Sequence, residues 1–259
     1  MNDRRELAEI LSWLASAALL GPTPAPEGIR RCKDYLNEIG NHPFGRAVIL
    51  RYLAGLHAMQ DDMTAAQDAL SRSKSMLDAL GPTTTAIVTH LAALVAMLAG
   101  DPAAAETHLR REYEFLDQMG ERRYLVTTAA KLARAIAAQG QSRYDEALHL
   151  LAISREAAAD EDLSAQAAGR GLSARILADR GRQREAEELA RSAVALAAQT
   201  DLLSEHADTL LDLAHVLIAS GQAREAHAAA AHALDLYQRK GNLPGARESL
   251  RYLSRSSPA

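Results

Sequence analysis

The chain carries nine histidines and one cysteine, the side chains that most readily bind metals or attack substrates. Two histidines grip a metal from one helix face when they lie three or four residues apart. His227 and His232 are five apart, and no His-Glu-x-x-His occurs. Cys32 has no accompanying His or Asn motif, so it reads as a small apolar filler. The acidic groups Asp61-Asp62, Asp160-Glu161-Asp162 and Glu187-Glu188 are runs of adjacent residues. Neighbours on a helix point about 100° apart, so such runs do not form a facing acid/base pair. Glu187 with Arg191, and Arg184 with Glu188, have the four-residue spacing of ion pairs that solvate a helix. No Gly-x4-Gly-Lys-Ser/Thr loop is present, and Gly169-Arg-Gly171 lacks the third glycine of a dinucleotide fingerprint. These observations predict a protein that is not an enzyme and uses neither cofactor nor metal.

The elements that would position any binding side chain are helical. Alanine and leucine supply most of the apolar 48%, and aromatics only 4%, which favours helix. No strand-like alternation is present, so the fold class is all-α. Helical runs fall into pairs at about 4–40, 43–80, 82–119, 122–159, 163–199 and 202–240, with a cap at 243–254. The first run puts Leu7, Ile10, Leu11 and Leu14 on one face. Its Arg4-Arg5 followed by Ile10–Leu20 faintly resembles a signal peptide, but Asp3, Glu6 and Glu9 oppose that reading. The clearest pattern is Leu172–Ala186 repeated as Asp212–Ala226. Aligned on the turn, the copies place Asp61, Gly100, Gly140, Gly181 and Gly221 at spacings of 39, 40, 41 and 40. Seven residues earlier stand Ala54, Ala93, Ala133, Ala174 and Ala214; five later stand Ala66, Ala105, Ala186 and Ala226. Ala147 comes two residues late. Alanine lets antiparallel helices approach closely, and glycine admits a left-handed turn. One pair cannot bury its own apolar face, so the pairs must stack. The expectation is one solenoid domain over residues 1–259.

Gln139-Gly140 … Arg143-Tyr144-Asp145-Glu146-Ala147 resembles the turn signature of tetratricopeptide repeats (TPRs), although the period near 40 exceeds that family's 34. In that family the first helix of each pair lines a concave groove. The resemblance places Gly55, Leu94, Arg134, Arg175 and His215, each just after its alanine, on the inner wall. Four residues earlier come Arg51, His90, Ala130, Gly171 and Leu211. Asp208 and Thr127 lie nearby, and Gly55, Ala130 and Gly171 leave room. The candidate partner-binding groove is therefore Arg51, His90, Thr127, Arg134, Arg175, Asp208 and His215. Arginine forks match carboxylates, so the expected occupant is a protein or peptide, an acidic segment or carboxylate terminus in particular. The alternative is a water-filled wall with no fixed ligand.

A broader resemblance rests on Leu20-Gly-Pro-Thr-Pro, Ile29-Arg-Arg-Cys32, Leu53-Ala-Gly-Leu, Leu98-Ala-Gly-Asp-Pro-Ala-Ala-Ala-Glu106, Met119-Gly-Glu-Arg-Arg-Tyr-Leu125 and Leu234-Asp-Leu-Tyr-Gln-Arg-Lys-Gly-Asn242. These segments resemble the C-terminal helical region of large bacterial regulators, which join a cyclase-like or transcriptional-activator domain to a P-loop ATPase. The resemblance implies a regulatory scaffold, either stand-alone or part of a longer reading frame, with a small-molecule or peptide sensor as the other reading. The net charge of −4 gives no basic footprint for nucleic acid and no polybasic membrane signal. A single cysteine and the lack of a long apolar run lead to the expectation of a cytoplasmic protein.

Overall fold

The computed structural model describes residues 2–81, 89–157 and 162–256. The described residues form thirteen α-helices and no strand. The helices are α1 (Asn2–Leu20), α2 (Ala25–Glu38), α3 (Pro43–Met59), α4 (Met63–Asp78), α5 (Thr89–Leu98), α6 (Pro102–Met119) and α7 (Arg122–Ala137). They continue as α8 (Tyr144–Ala157), α9 (Leu163–Asp179), α10 (Gln183–Ala197), α11 (Leu203–Ala219), α12 (Ala223–Lys240) and α13 (Leu243–Arg255). A short 3-10 turn, Gln141–Arg143, leads into α8 and takes up the two extra residues of that copy. The expected break at Pro82, the start of the helix from Thr84, and the end of the pair at 158–161 lie outside the described residues.

The repeat register is physical. Asp61, Gly100, Gly140, Gly181 and Gly221 all have positive φ, from 62° at Asp61 to 130° at Gly140. Asp61 is the only non-glycine with positive φ among the described residues, and aspartate is one of the few side chains that tolerate it. Ala54, Ala93, Ala133, Ala174 and Ala214 are all buried, as are Ala66, Ala105, Ala147, Ala186 and Ala226. In the pairs α3–α4, α7–α8, α9–α10 and α11–α12 the first helix packs on the second, so a longer side chain at the buried alanines would push the backbones apart. Several helices begin on side-chain caps. Asp62, Asp101 and Asn242 accept from the amides of Ala65, Ala104 and Gly245, and Asp162 caps a first helix, α9, through Ala165. One further register recurs twelve residues after the turn, with Ala147's two-residue insertion counted. Ser73 and Ser154 there donate to the carbonyls of Ala47 and Val126, at 2.8 and 2.9 Å, tying each second helix to its first.

The chain forms two compact units, residues 1–115 and 116–259. In the first, α1 packs on α2 and α3, and α3 on α4 and α5. Its core joins Leu11, Ala15 and Leu19 of α1 to Cys32, Leu50, Leu53 and Leu56. The buried face of α1 is Ala8, Leu11, Ala15, Ala18 and Leu19. This corrects the expected Leu7–Ile10–Leu11–Leu14 face, because Ile10 and Leu14 point to solvent. Leu11 and Leu19 join the alanines on the inside, while Ile10 and Leu14 turn outward. In the second unit α7 pairs with α8, α9 with α10 and α11 with α12, and α13 packs on α12 and α11. Its core is built from alanines and leucines of α9 to α12, closed by Tyr237 and Tyr252.

Two kinds of substitution test this register by urea unfolding. Ala214→Leu overpacks a helix crossing and is expected to lower stability by roughly 1–3 kcal/mol. At Gly181, where φ is 78°, Gly181→Asn is expected to cost clearly less than Gly181→Val, because only the branched side chain is strongly excluded from left-handed backbone. Equal losses for the two Gly181 variants would show that the turn geometry is not what selects glycine.

Candidate functional site

The first helices of the second unit bring three successive repeats to one carboxylate. Asp212 of α11 is 1% exposed and lies inside the apolar run Leu210–Ala214. Arg134 of α7 donates to it twice, from Nη2 at 2.7 Å and from Nη1 at 3.4 Å. Arg175 of α9 places Nη1 3.7 Å from the same carboxylate. The Arg134–Asp212 pair crosses α9 at Gly171. A Cβ on Gly171 would stand 2.7 Å from Asp212 Oδ2, so glycine is what lets the carboxylate reach past α9. Burial disfavours the Arg134 charge, but the Asp212 carboxylate more than offsets this and holds the guanidinium above its ordinary range.

Beside this pair lies Asp208, one turn earlier on α11. It keeps substantial contact with water although protein surrounds it on most sides, the condition of a residue on a recessed wall. Its Oδ1 accepts from the Tyr237 hydroxyl of α12. Tyr237 is held in place by Gly245, where a Cβ would meet its ring at 2.5 Å. Partial desolvation pushes the Asp208 carboxyl up to about 6, against the lowering pull of Arg134 and Tyr237, with Asp212 and Glu205 adding repulsion. The Tyr252 side chain of α13 is buried beside Arg175.

A second cluster uses Asp179, near the end of α9. Tyr144 of α8 donates to its Oδ2 at 2.5 Å, and His215 Nε2 of α11 donates to its Oδ1 at 2.6 Å. Burial would raise the Asp179 carboxyl, but these two bonds hold it below its usual range. His215 is pushed down by burial and by the nearby Arg175, against the pull of Asp179. The imidazole therefore favours its neutral form at pH 7.

Of the seven residues expected to line the groove, the structure thus gathers Arg134, Arg175, Asp208 and His215 in one unit. Thr127 is half-buried two turns before Arg134 on α7, apart from both clusters. Arg51 and His90 belong to the other unit. His90 Nδ1 is 3.8 Å from Glu112 Oε1. Arg51 is only 4% exposed, and its Nε lacks a hydrogen-bond partner; burial pushes its guanidinium down to about 10 despite Tyr52 and Glu112. This corrects its placement on an open wall: it is an interior residue. The room expected at Gly55 is also taken, by Leu19 of α1, whose methyls would lie 3.0 and 3.1 Å from a Cβ there. The arginine ladder is not a free basic strip, because Asp212 neutralises it from beneath. Cys32 is fully buried and burial pushes its thiol up to about 12, so no nucleophile is available there.

Sequence reasoning missed Asp212, Asp179, Tyr144, Tyr237 and Tyr252. A signal existed for the first. In the register two residues before the alanine, the other copies hold Tyr52, Leu91, Lys131 and Leu172, and only Asp212 puts a carboxylate between leucines.

No protein-family model matches the chain, and no curated protein matches it in sequence. Solved structures do match its fold. The structure of NprR in complex with its cognate peptide NprX superposes with a TM-score of 0.72 at 17% identity, covering 96% of this chain and 71% of that one. The apo form of the quorum sensor NprR from B. thuringiensis gives 0.62 at 17% identity, over 95% of this chain and 68% of that one. A point variant of a Podospora anserina kinesin light chain with nearly identical TPR-like repeats gives 0.52 at 22% identity, over 76% of this chain and 96% of that one. The chain therefore has an all-α, TPR-like helical-repeat fold, as its repeat register predicts.

Two measurements probe the wall. Asp212→Asn is expected to lower stability by about 2 kcal/mol, less than the ~3–5 of a fully buried pair because Arg134 keeps some water contact. The second concerns pH. A carboxyl with a raised pKa in the folded state binds its proton more tightly when folded, so its contribution to stability grows as pH falls through that value. Wild type should therefore gain on Asp208→Asn in melting temperature as pH drops from about 8 to about 5. A constant difference would show that Asp208 titrates as it does in the unfolded chain.

Proposed function

We propose that this protein is a non-catalytic, peptide- or protein-binding regulatory module, and that the Arg134–Arg175–Asp208 wall is where the partner lies. The observation that carries the reading is the mixed-sign wall itself. Arg175 is partly exposed and only loosely engaged by Asp212, so its guanidinium has donors to offer. Asp208 is exposed, and one of its carboxylate oxygens accepts from Tyr237. A wall that offers both donors and an acceptor fits the C=O and N–H groups of an extended main chain, and each gains strength where water is partly excluded. The fold likeness to NprR bound to its cognate peptide supports the reading.

The acidic partner expected from the ladder alone is less favoured by this charge balance. Arg134 is drawn to Asp212 and Asp208, Arg175 to Asp212, and burial pushes His215 toward its neutral form. A peptide of mixed or neutral character suits the wall better than a run of carboxylates. The resemblance to the C-terminal repeat region of cyclase- or ATPase-linked regulators belongs to the same proposal, as the setting in which such a module would act.

Panning a random heptapeptide display library against the purified protein tests the proposal. Enriched peptides are expected to bind wild type and to lose at least about tenfold in affinity, roughly 1.4 kcal/mol, in both Arg175→Ala and Asp208→Asn. Enrichment that survives both substitutions would move the site elsewhere. No enrichment over the blank support would remove the peptide reading.

A further inference from the structure

The first and last helices carry apolar faces that nothing among the described residues covers. Helix α1 buries Ala8, Leu11, Ala15, Ala18 and Leu19 on one side. On the other side Trp13 is 72% exposed and Ile10 56%, with Leu14 and Leu20 both 44%. The positions 10, 13, 14, 17 and 20 form one helical stripe, closed at position 17 by an exposed alanine. The helix is thus apolar on two opposite faces. Scattered apolar side chains on a surface mean little, but a contiguous patch rimmed by charge marks an interaction site. Here the rim is acidic: Glu6 and Glu9 are exposed along the same side.

Helix α13 shows the matching deficiency. Its inner side buries Ser249 and Tyr252 against the preceding pair. Its outer side exposes Leu250 (54%) and Leu243 (48%), two turns apart. Arg247 and Arg251 flank these leucines on that side, Arg251 also holding Glu248 of the same helix at 2.8 Å. One end of the chain therefore offers an apolar stripe with an acidic rim, and the other an apolar pair with a basic rim.

We propose that copies of this protein associate head to tail, α1 of one copy packing on α13 of the next. The occupant of the α1 face is a second copy of this chain because the face that complements it in both polarity and charge is on the same molecule. The two patches differ, so the interface is heterologous: it closes into a ring if the rotation per copy allows and otherwise propagates.

Sedimentation velocity over a series of micromolar concentrations reads the outcome, with Trp13→Glu and Leu250→Glu as the variants. Both side chains are exposed, and circular dichroism melts should show both variants as stable as wild type. Wild type is expected to form a concentration-dependent series of species, weakened by salt because the rims are charged. Each variant alone should be monomeric. An equimolar mixture should give dimers and nothing larger, since Trp13→Glu keeps an intact α13 face and Leu250→Glu an intact α1 face. A monomeric wild type at every concentration overturns the proposal. So does a wild-type dimer abolished by Trp13→Glu but untouched by Leu250→Glu, which would mean α1 pairs with α1. A mixture that stays monomeric overturns it as well.

Discussion

The close crossing of paired helices at alanine is the constraint from which the rest of this fold follows. Ten positions in five copies hold a fully or nearly fully buried alanine, and the turn residue between them has positive φ in every copy. Close backbone approach leaves little apolar surface on each crossing, so no pair is stable by itself. Stability must come from stacking, and stacking places equivalent side chains of successive first helices at a fixed offset. The recessed wall of the second unit results from that offset. Residues 78 apart in sequence, Arg134 and Asp212, meet there because one repeat lies between them and presents Gly171 at the crossing point.

The wall combines a structural interior with a chemical surface, and burial separates the two. Asp212 is almost wholly enclosed, so its charge requires both arginines, and removing it would leave them uncompensated. Asp208 sits one turn away on the same helix and stays exposed. The same residue type thus holds the repeats together at one position and faces outward at the next. Asp179 repeats the first role further along, clamped by Tyr144 and His215 from the repeats on either side. The outer surface uses charge differently. Arg191 bridges Glu187 within α10 and Glu225 on α12, and such exposed pairs contribute little each.

Local structure was legible in the residues because local physics determines it. The alanine and glycine registers predict the helices, the turns and their pairing, and even the aberrant copy at Asp61 keeps the left-handed turn. The inner wall was legible only as a set of positions. The register places Arg134, Arg175 and His215 on one side of their helices, but it says nothing of what lies beneath them. That depends on how far three stacked helices sit from one another, which no period in the sequence encodes. Arg51 shows the same limit from the other side: it shares the inner register, yet α1 and α5 pack around α3 and enclose it. The outer stripe of α1 escaped for a different reason. A helix apolar on two faces looks, by periodicity, like a helix with one broad face, and only burial tells which residues are inside.

Charge compensation has a consequence for selectivity. An uncompensated arginine ladder would attract any polyanion, with an affinity set mainly by ionic strength. With Asp212 seated beneath it, the ladder loses most of that long-range pull and keeps its short-range donors. In the binding role proposed for the wall, what remains discriminates by geometry, through the fork of Arg175 and the carboxylate of Asp208. A partner that competes for Arg175 draws on a group tied to Asp212 and so to the spacing of α9 and α11. The proposed occupancy of the wall is thereby linked to the packing of α9 and α11 through the Asp212 carboxylate.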